Sequence, residues 1–188
     1  MLLGAHSKIE IHHENKEYAN TVLKSIVKDI FQYEELFSLY KKNSLISELN
    51  RNSFITNVNE NFLTLIKNSQ IISEATSGAF DISVQPLWDL YSNHYFVKEK
   101  KYTINPQMLS QTTSLVNWRN ILIEGNNINF KNSDMKITLN GIAQGWITDL
   151  VAKKLKKRGI DNVLIDLGET YAMGKHLENR PWHIGITD

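Results

Sequence analysis

Residues 136–149, KITLNGIAQGWITD, constrain this chain more than any other stretch. Ile137, Thr138 and Leu139 carry a short strand pattern. Asn140 and Gly141 then turn the chain into a helix whose first turn holds a second glycine, Gly145. A strand feeding a glycine-lined helix start leaves backbone N–H groups without intrahelical partners, and such an end attracts an anion, most often a phosphate. The same glycines also let a helix pack close to a neighbouring strand. Helix starts far outnumber phosphate sites, so the spacing alone favours packing.

The remaining elements read as an α+β chain: mostly antiparallel sheet packed with long amphipathic helices. Residues 7–13 (SKIEIHH) alternate, placing Ile9 and Ile11 on one face of a strand. His12 and His13 point to opposite faces, cannot share one metal, and are read as structural. Residues 15–40 form a long helix with Tyr18, Val22, Ile26 and Ile30 at four-residue spacing, widened by Leu23, Val27 and Phe31. Tyr40 falls where that helix should stop; it belongs either to the core or to a platform for a planar ligand. Ser44 follows as the N-cap of a short helix, with Ser47 and Glu48 completing a weak capping box.

Residues 59–76 predict a helix that buries Phe62, Leu65, Ile66, Ile71 and Ile72, ended by Ser77 and a left-handed Gly78. Asp81 comes next, the one acid in an apolar stretch. It must find a partner, either by capping a neighbouring segment or by gripping a polar ligand edge. Residues 86–91 suit a short helix with Pro86 in its first turn, and residues 92–103 suit a surface excursion. Asn105 caps a helix that fades near Ser114. Residues 119–130 read as a hairpin turning at Gly125. After the glycine segment a helix runs over 142–158, closed by Gly159. Strands follow over 161–167, 170–173 and 182–187.

The length of 188 residues suits a single domain over 1–188, helix-rich to about residue 115 and strand–helix–strand from 116 onward. A formal net charge of +1 gives no case for nucleic acid or an anionic membrane surface. Basic runs at 98–101 and 153–158 are read as solvated faces. With no cysteine, disulfides, thiolate catalysis and cysteine-bound zinc are excluded. No apolar run approaches the roughly 20 residues that span a bilayer, and MLLGAHSK is too short for a signal peptide.

Taken in order, these pieces resemble the FAD:protein FMN transferases, the ApbE family. Leu3-Gly4-Ala5 stands where that family opens with Met-Gly-Thr. Residues 37–50 (FSLYKKNSLISELN) resemble its helix–turn segment, and 77–87 (SGAFDISVQPL) its SGAFD-x-x-x-x-PL. Residues 138–149 resemble its glycine segment. Residues 162–174 and 181–188 resemble its two later strands, the last close to W-x-I-x-I-x-D. Five ordered motifs at matching spacing are a specific signal.

The resemblance implies binding of FAD and Mg²⁺ and transfer of the FMN half onto a threonine hydroxyl of a target flavoprotein, releasing AMP. Some relatives hydrolyse FAD to FMN and AMP, and a degenerate relative would hold FAD without turnover. By matching position, Tyr40 would stack on the isoalloxazine with Leu3 lining the same pocket. Ala79, Phe80 and Asp81 would contact the flavin or adenine, Thr138 and Gln144 would touch FAD, and the Gly141 carbonyl would ligate Mg²⁺. That ion prefers oxygen donors, which suits a carbonyl better than the histidines of this chain.

Three positions depart from the pattern. Thr138 replaces an acid, Gln144 replaces a charged residue, and a double glycine is reduced to Gly168-Glu169. The resemblance also implies that the side-chain metal ligands and the acceptor-activating histidine, the catalytic group, lie beyond Asp188. An unpaired terminal strand over 182–187 is then expected either to recruit a second copy or to pair within a longer or split protein. Relatives commonly work in the periplasm or cell envelope as lipoproteins with a removable signal; others are cytoplasmic.

Overall fold

A computed structural model describes residues 7–97 and 103–185. In chain order its first elements are β1 (Lys8–His12), α1 (Lys16–Phe37), α2 (Leu45–Asn52), β2 (Phe54–Ile55), α3 (Glu60–Ala75) and α4 (Gln85–Ser92). They are followed by α5 (Pro106–Thr113), β3 (Ile121–Glu124), β4 (Asn127–Phe130), α6 (Ala143–Lys157), β5 (Asn162–Asp166) and β6 (Thr170–Met173). The fold class is therefore mixed helix and antiparallel sheet, as the sequence predicts. By its internal contacts the chain groups into two compact units. One combines Met1–Glu35 with Ile142–Asp188, and the other is Leu36–Gly141.

The first unit is built on the sheet β1-β5-β6, antiparallel throughout. β5 is its centre, pairing Ile165 with Ile9 and Val163 with Met173. Val163, Ile165 and Leu167 are fully buried, as are Ile26 and Ile30 of α1 and Ile147 and Leu155 of α6. The ends of the predicted α1 stripe fare differently: Tyr18 is 39% exposed and Phe31 49%. Tyr18 instead donates its hydroxyl to the Arg158 carbonyl at 2.8 Å, tying α1 to the end of α6. Lys154 of α6 ion-pairs with Asp29 of α1. α6 ends in a Schellman arrangement. Gly159, at φ +70°, donates to Lys156, and Ile160 donates to Leu155.

The second unit carries the sheet β2-β4-β3. Its hairpin turns on Gly125 at φ +59°, in register Ile123 to Ile128. Its helices start where polar caps stand: Ser44 accepts from the Ser47 amide, Asn59 from Asn61, and Asn105 from Gln107 and Met108. Phe62 of α3 stacks on Phe37, centroids 5.9 Å apart.

Five local expectations are corrected. Ile71 and Ile72 are 66% and 38% exposed. The buried face of α3 runs through Phe62, Leu65 and Ile66 to Ser69 and Ser73. Those two hydroxyls are affordable inside because each bonds the carbonyl one turn back, at 2.8 and 2.9 Å. Residues 93–97 of the expected surface excursion are helical, a π-helical turn continuing α4 with Tyr95 and Phe96 exposed, and residues 98–102 lie outside the described residues. Tyr40 is not core: it lies in the turn after α1, 87% exposed. Residues 182–185, the described part of the expected last strand, pair with no strand.

Fifth, residues 137–139 form no strand. They imitate one. Met135, Ile137 and Leu139 are fully buried, with Lys136 exposed and Thr138 half-buried between them, but the backbone is paired by a side chain. The Asn50 amide donates to the Ile137 carbonyl at 2.8 Å, and its oxygen accepts from the Ile137 N–H at 2.7 Å. Thr138 N–H reaches the Ile82 carbonyl at 2.8 Å. Among the described residues no helix is long and apolar enough to cross a membrane.

Candidate functional site

The helix start that dominates the sequence is open. α6 begins at Ala143 with Ile142 as its N-cap, and no side chain caps its amides. No acidic residue lies in its first turn. A Cβ built on Gly145 would meet nothing within 4 Å, and one on Gly141 would meet only Phe80 Cε2 at 3.6 Å, an ordinary contact. Close packing therefore does not explain Gly145. Uncapped amides, the positive end of the helix dipole and an unfilled flank are what a phosphate needs. Beside them the Gln144 side chain lies against Gly168: a Cβ there would come 2.6 Å from Nε2. Gly168, at φ +95°, has a backbone that favours glycine.

In the second unit the structure brings Phe80 to Gly141 by the contact just given. Ala79 is exposed beside Phe80. Gly78 at φ +83° and Ser77 at φ +53° produce the reversal that presents both residues after α3, and Phe80 N–H is held by Thr76 Oγ1 at 3.1 Å. The Asp81 carboxylate is engaged by the protein itself. Oδ1 accepts from Ser83 N–H at 2.8 Å and Ser83 Oγ at 2.7 Å, and Oδ2 accepts from Trp118 N–H at 3.0 Å. It caps the short 3₁₀ turn Ile82–Val84. Two carboxylate oxygens offer about four acceptor positions, so roughly one remains for a ligand.

Thr138 is half-buried and accepts from Asn140 N–H at 3.3 Å. With Asn140 it lines a cavity of about 680 Å³ whose other wall includes Trp88, Tyr91, Tyr95 and Phe96. These aromatics are strongly exposed, Trp88 at 63% and Phe96 at 76%. Sequence reasoning missed this wall. Its signal was present: positions 88, 91, 95 and 96 follow the i, i+3, i+7, i+8 spacing of one helical face, and the π-helical turn continues α4 far enough to carry them. Tyr40 stands free of any ring contact among the described residues, its amide donating to Ser38 Oγ at 3.3 Å. Leu3 lies outside the described residues.

Each unit's groups, taken by themselves, suit ligands that the resemblance implies. A diphosphate fits an uncapped, acid-free helix start. A hard divalent cation fits carbonyl oxygen such as that of Gly141. Exposed aromatic faces and an apolar cavity fit planar rings.

The model of the ApbE family matches residues 3–188. An FAD:protein FMN transferase of Vibrio cholerae is 28% identical over 160 residues, covering 82% of this chain and 47% of that protein. A second, of Haemophilus influenzae, is 27% identical over 180 residues, covering 90% and 50%. The chain thus spans about half the length of the curated relatives it matches. The fold of the Vibrio cholerae flavin transferase ApbE superposes with a TM-score of 0.85 at 24% identity, over 99% of this chain and 61% of that one. With a family model spanning almost its whole length, the chain belongs to the ApbE family.

Proposed function

We propose that this protein binds FAD and serves the Mg²⁺-dependent transfer of its FMN half to a threonine hydroxyl of an acceptor flavoprotein. The reading is carried by one observation, the uncapped start of α6, where a Cβ on Gly145 would meet no atom of the described residues within 4 Å, within a family whose named relatives are FAD:protein FMN transferases. In the reaction a threonine oxygen bonds to the FMN phosphorus while the bridging P–O bond to AMP breaks. The hydroxyl proton passes to a base, and AMP leaves with the bridging oxygen. Mg²⁺ would supply charge neutralisation on the non-bridging oxygens.

The chain's own residues bind and orient. Tyr40 offers an exposed face for the isoalloxazine, with Leu3 assigned to the same pocket. Phe80 and Ala79 present apolar contacts, and Asp81 anchors their loop with one acceptor to spare. Thr138 and the Gln144 amide offer neutral hydrogen bonds to FAD, the free amides of α6 receive the diphosphate, and the Gly141 carbonyl is the metal ligand.

A second reading, FAD held without turnover, is favoured by Thr138 and Gln144 being uncharged, because neutral dipoles stabilise a developing phosphate charge less than ionised groups. Hydrolysis to FMN and AMP is the third outcome. Incubation with FAD, Mg²⁺ and a threonine-bearing acceptor separates them. AMP with a covalent FMN mass shift supports transfer, AMP and free FMN support hydrolysis, and retained FAD without product supports binding alone. Self-association is assigned to the outer edge of β6, since residues 182–185 form no strand; a monomeric mass by light scattering contradicts it. A cell-envelope location follows the family resemblance, and fractionation of the native host tests it.

A further inference from the structure

In the first unit a second polar cluster lies apart from every residue assigned above. Glu10 and His12 are two apart on β1 and therefore share one face. Gly174, at φ +65°, turns the chain after β6 so closely that a Cβ would lie 2.2 Å from the Asp161 carbonyl, and Asn162 Oδ1 fixes the turn through Lys175 N–H at 2.7 Å. This return brings His176 onto that same face of β1. His12 Nε2 is 2.9 Å from Glu10 Oε1, and His176 Nε2 is 3.5 Å from the same oxygen. One ligating atom from each of the three residues lies within 4.8 Å of the others.

From this geometry we propose that Glu10, His12 and His176 form a binding site for a borderline-soft divalent cation of the zinc class. Two imidazoles and one carboxylate are the donor set such ions take, with a fourth position left to water. Bonds of about 2.0–2.1 Å in a tetrahedron separate ligand atoms by about 3.3 Å; the 2.9 and 3.5 Å seen here bracket that value. Lys8 holds the other carboxylate oxygen, Oε2, at 2.6 Å, leaving Oε1 for the ion.

Arg180 Nη2 lies 3.2 Å from His176 Nε2. A guanidinium has no acceptor, so that nitrogen presents a lone pair to it. The rings are oriented by packing. Trp182 lies 4.9 Å from each, and the two imidazoles meet edge to face at 4.6 Å. Both rings turn Nε2 toward Glu10, and both buried Nδ1 atoms lack a partner among the described residues. His12 also borders a surface cavity of about 470 Å³.

The test uses untagged, chelator-treated protein titrated with Co²⁺, then Zn²⁺. The expected result is one Co²⁺ per chain with intense visible bands of low coordination number, displaced by Zn²⁺ and indifferent to excess Mg²⁺. Trp182 is the reporter: Co²⁺ quenches its emission, and Trp182→Phe removes most of that quenching while leaving the bands. His176→Gln and Glu10→Gln each weaken binding at least about tenfold, with folding verified by circular dichroism. Glu10→Gln carries the test if a histidine variant does not fold. Arg180→Gln tightens binding by removing the competing cation. Absence of Co²⁺ binding, or binding unchanged in both Gln variants, overturns the site.

Discussion

The side-chain amide of Gln144 lies against the bare Cα of Gly168, so that a Cβ at 168 would come 2.6 Å from Nε2 and 3.0 Å from Cδ. The pair links the first turn of α6 to the turn between β5 and β6. It also gives a reason for a glycine at 168. Gly168→Ala is expected to destabilise the fold by about 1–3 kcal/mol, chiefly through its φ of +95°, and to displace Gln144. Denaturant unfolding of the single and double variants checks this. Gln144→Ala should relieve only the smaller, steric part, giving a measurable coupling between the two sites.

Asn50 stands in for a missing strand beside Ile137. Asn50→Ala leaves an N–H and a C=O in the core without partners, and each costs about 1–3 kcal/mol. A total loss of about 2–6 kcal/mol in urea unfolding is expected. Asn50→Asp keeps the acceptor and loses the donor, so it should fall between wild type and alanine.

Asp81 separates a structural from a ligand role. Asp81→Ala removes the cap and leaves Trp118 N–H unpaired, with an expected cost of about 2–3 kcal/mol. Asp81→Asn retains an acceptor and should cost less. If Asp81 also anchors FAD, the Asn variant loses affinity while its melting temperature changes little; unchanged affinity confines Asp81 to capping.

Burial, and then the nearby Asp29 charge, raise the Tyr33 hydroxyl pKa above its ordinary 10.0. A raised folded-state value means the native state holds its proton longer than the unfolded chain. That contribution is complete below pH about 10 and is lost as pH rises through the folded value. The difference in stability between wild type and Tyr33→Phe should be flat to pH about 10 and shrink above it.

Helix starts were legible because Ser44, Asn59 and Asn105 satisfy amides only one turn away, and the hairpin because Gly125 must take positive φ. Ile71 and Ile72 misled because their apolar character mimics burial, whereas Ser69 and Ser73 hide by bonding their own helix. Residues 137–139 show alternating burial without a strand, since the partner is an amide 87 residues earlier in sequence. No local pattern carries that information. At the site, the motif segments were legible one by one, but the open flank of Gly145 and the aromatic wall beside Thr138 are properties of packing.

The central claim is flavin recognition. Titration of FAD into the protein with Mg²⁺, followed by flavin fluorescence, tests it directly. Saturable binding of one FAD per chain is predicted, weakened roughly tenfold in Tyr40→Ala, as loss of a stacking contact of about 1.4 kcal/mol requires. No saturable binding, or binding indifferent to Tyr40, would contradict the account.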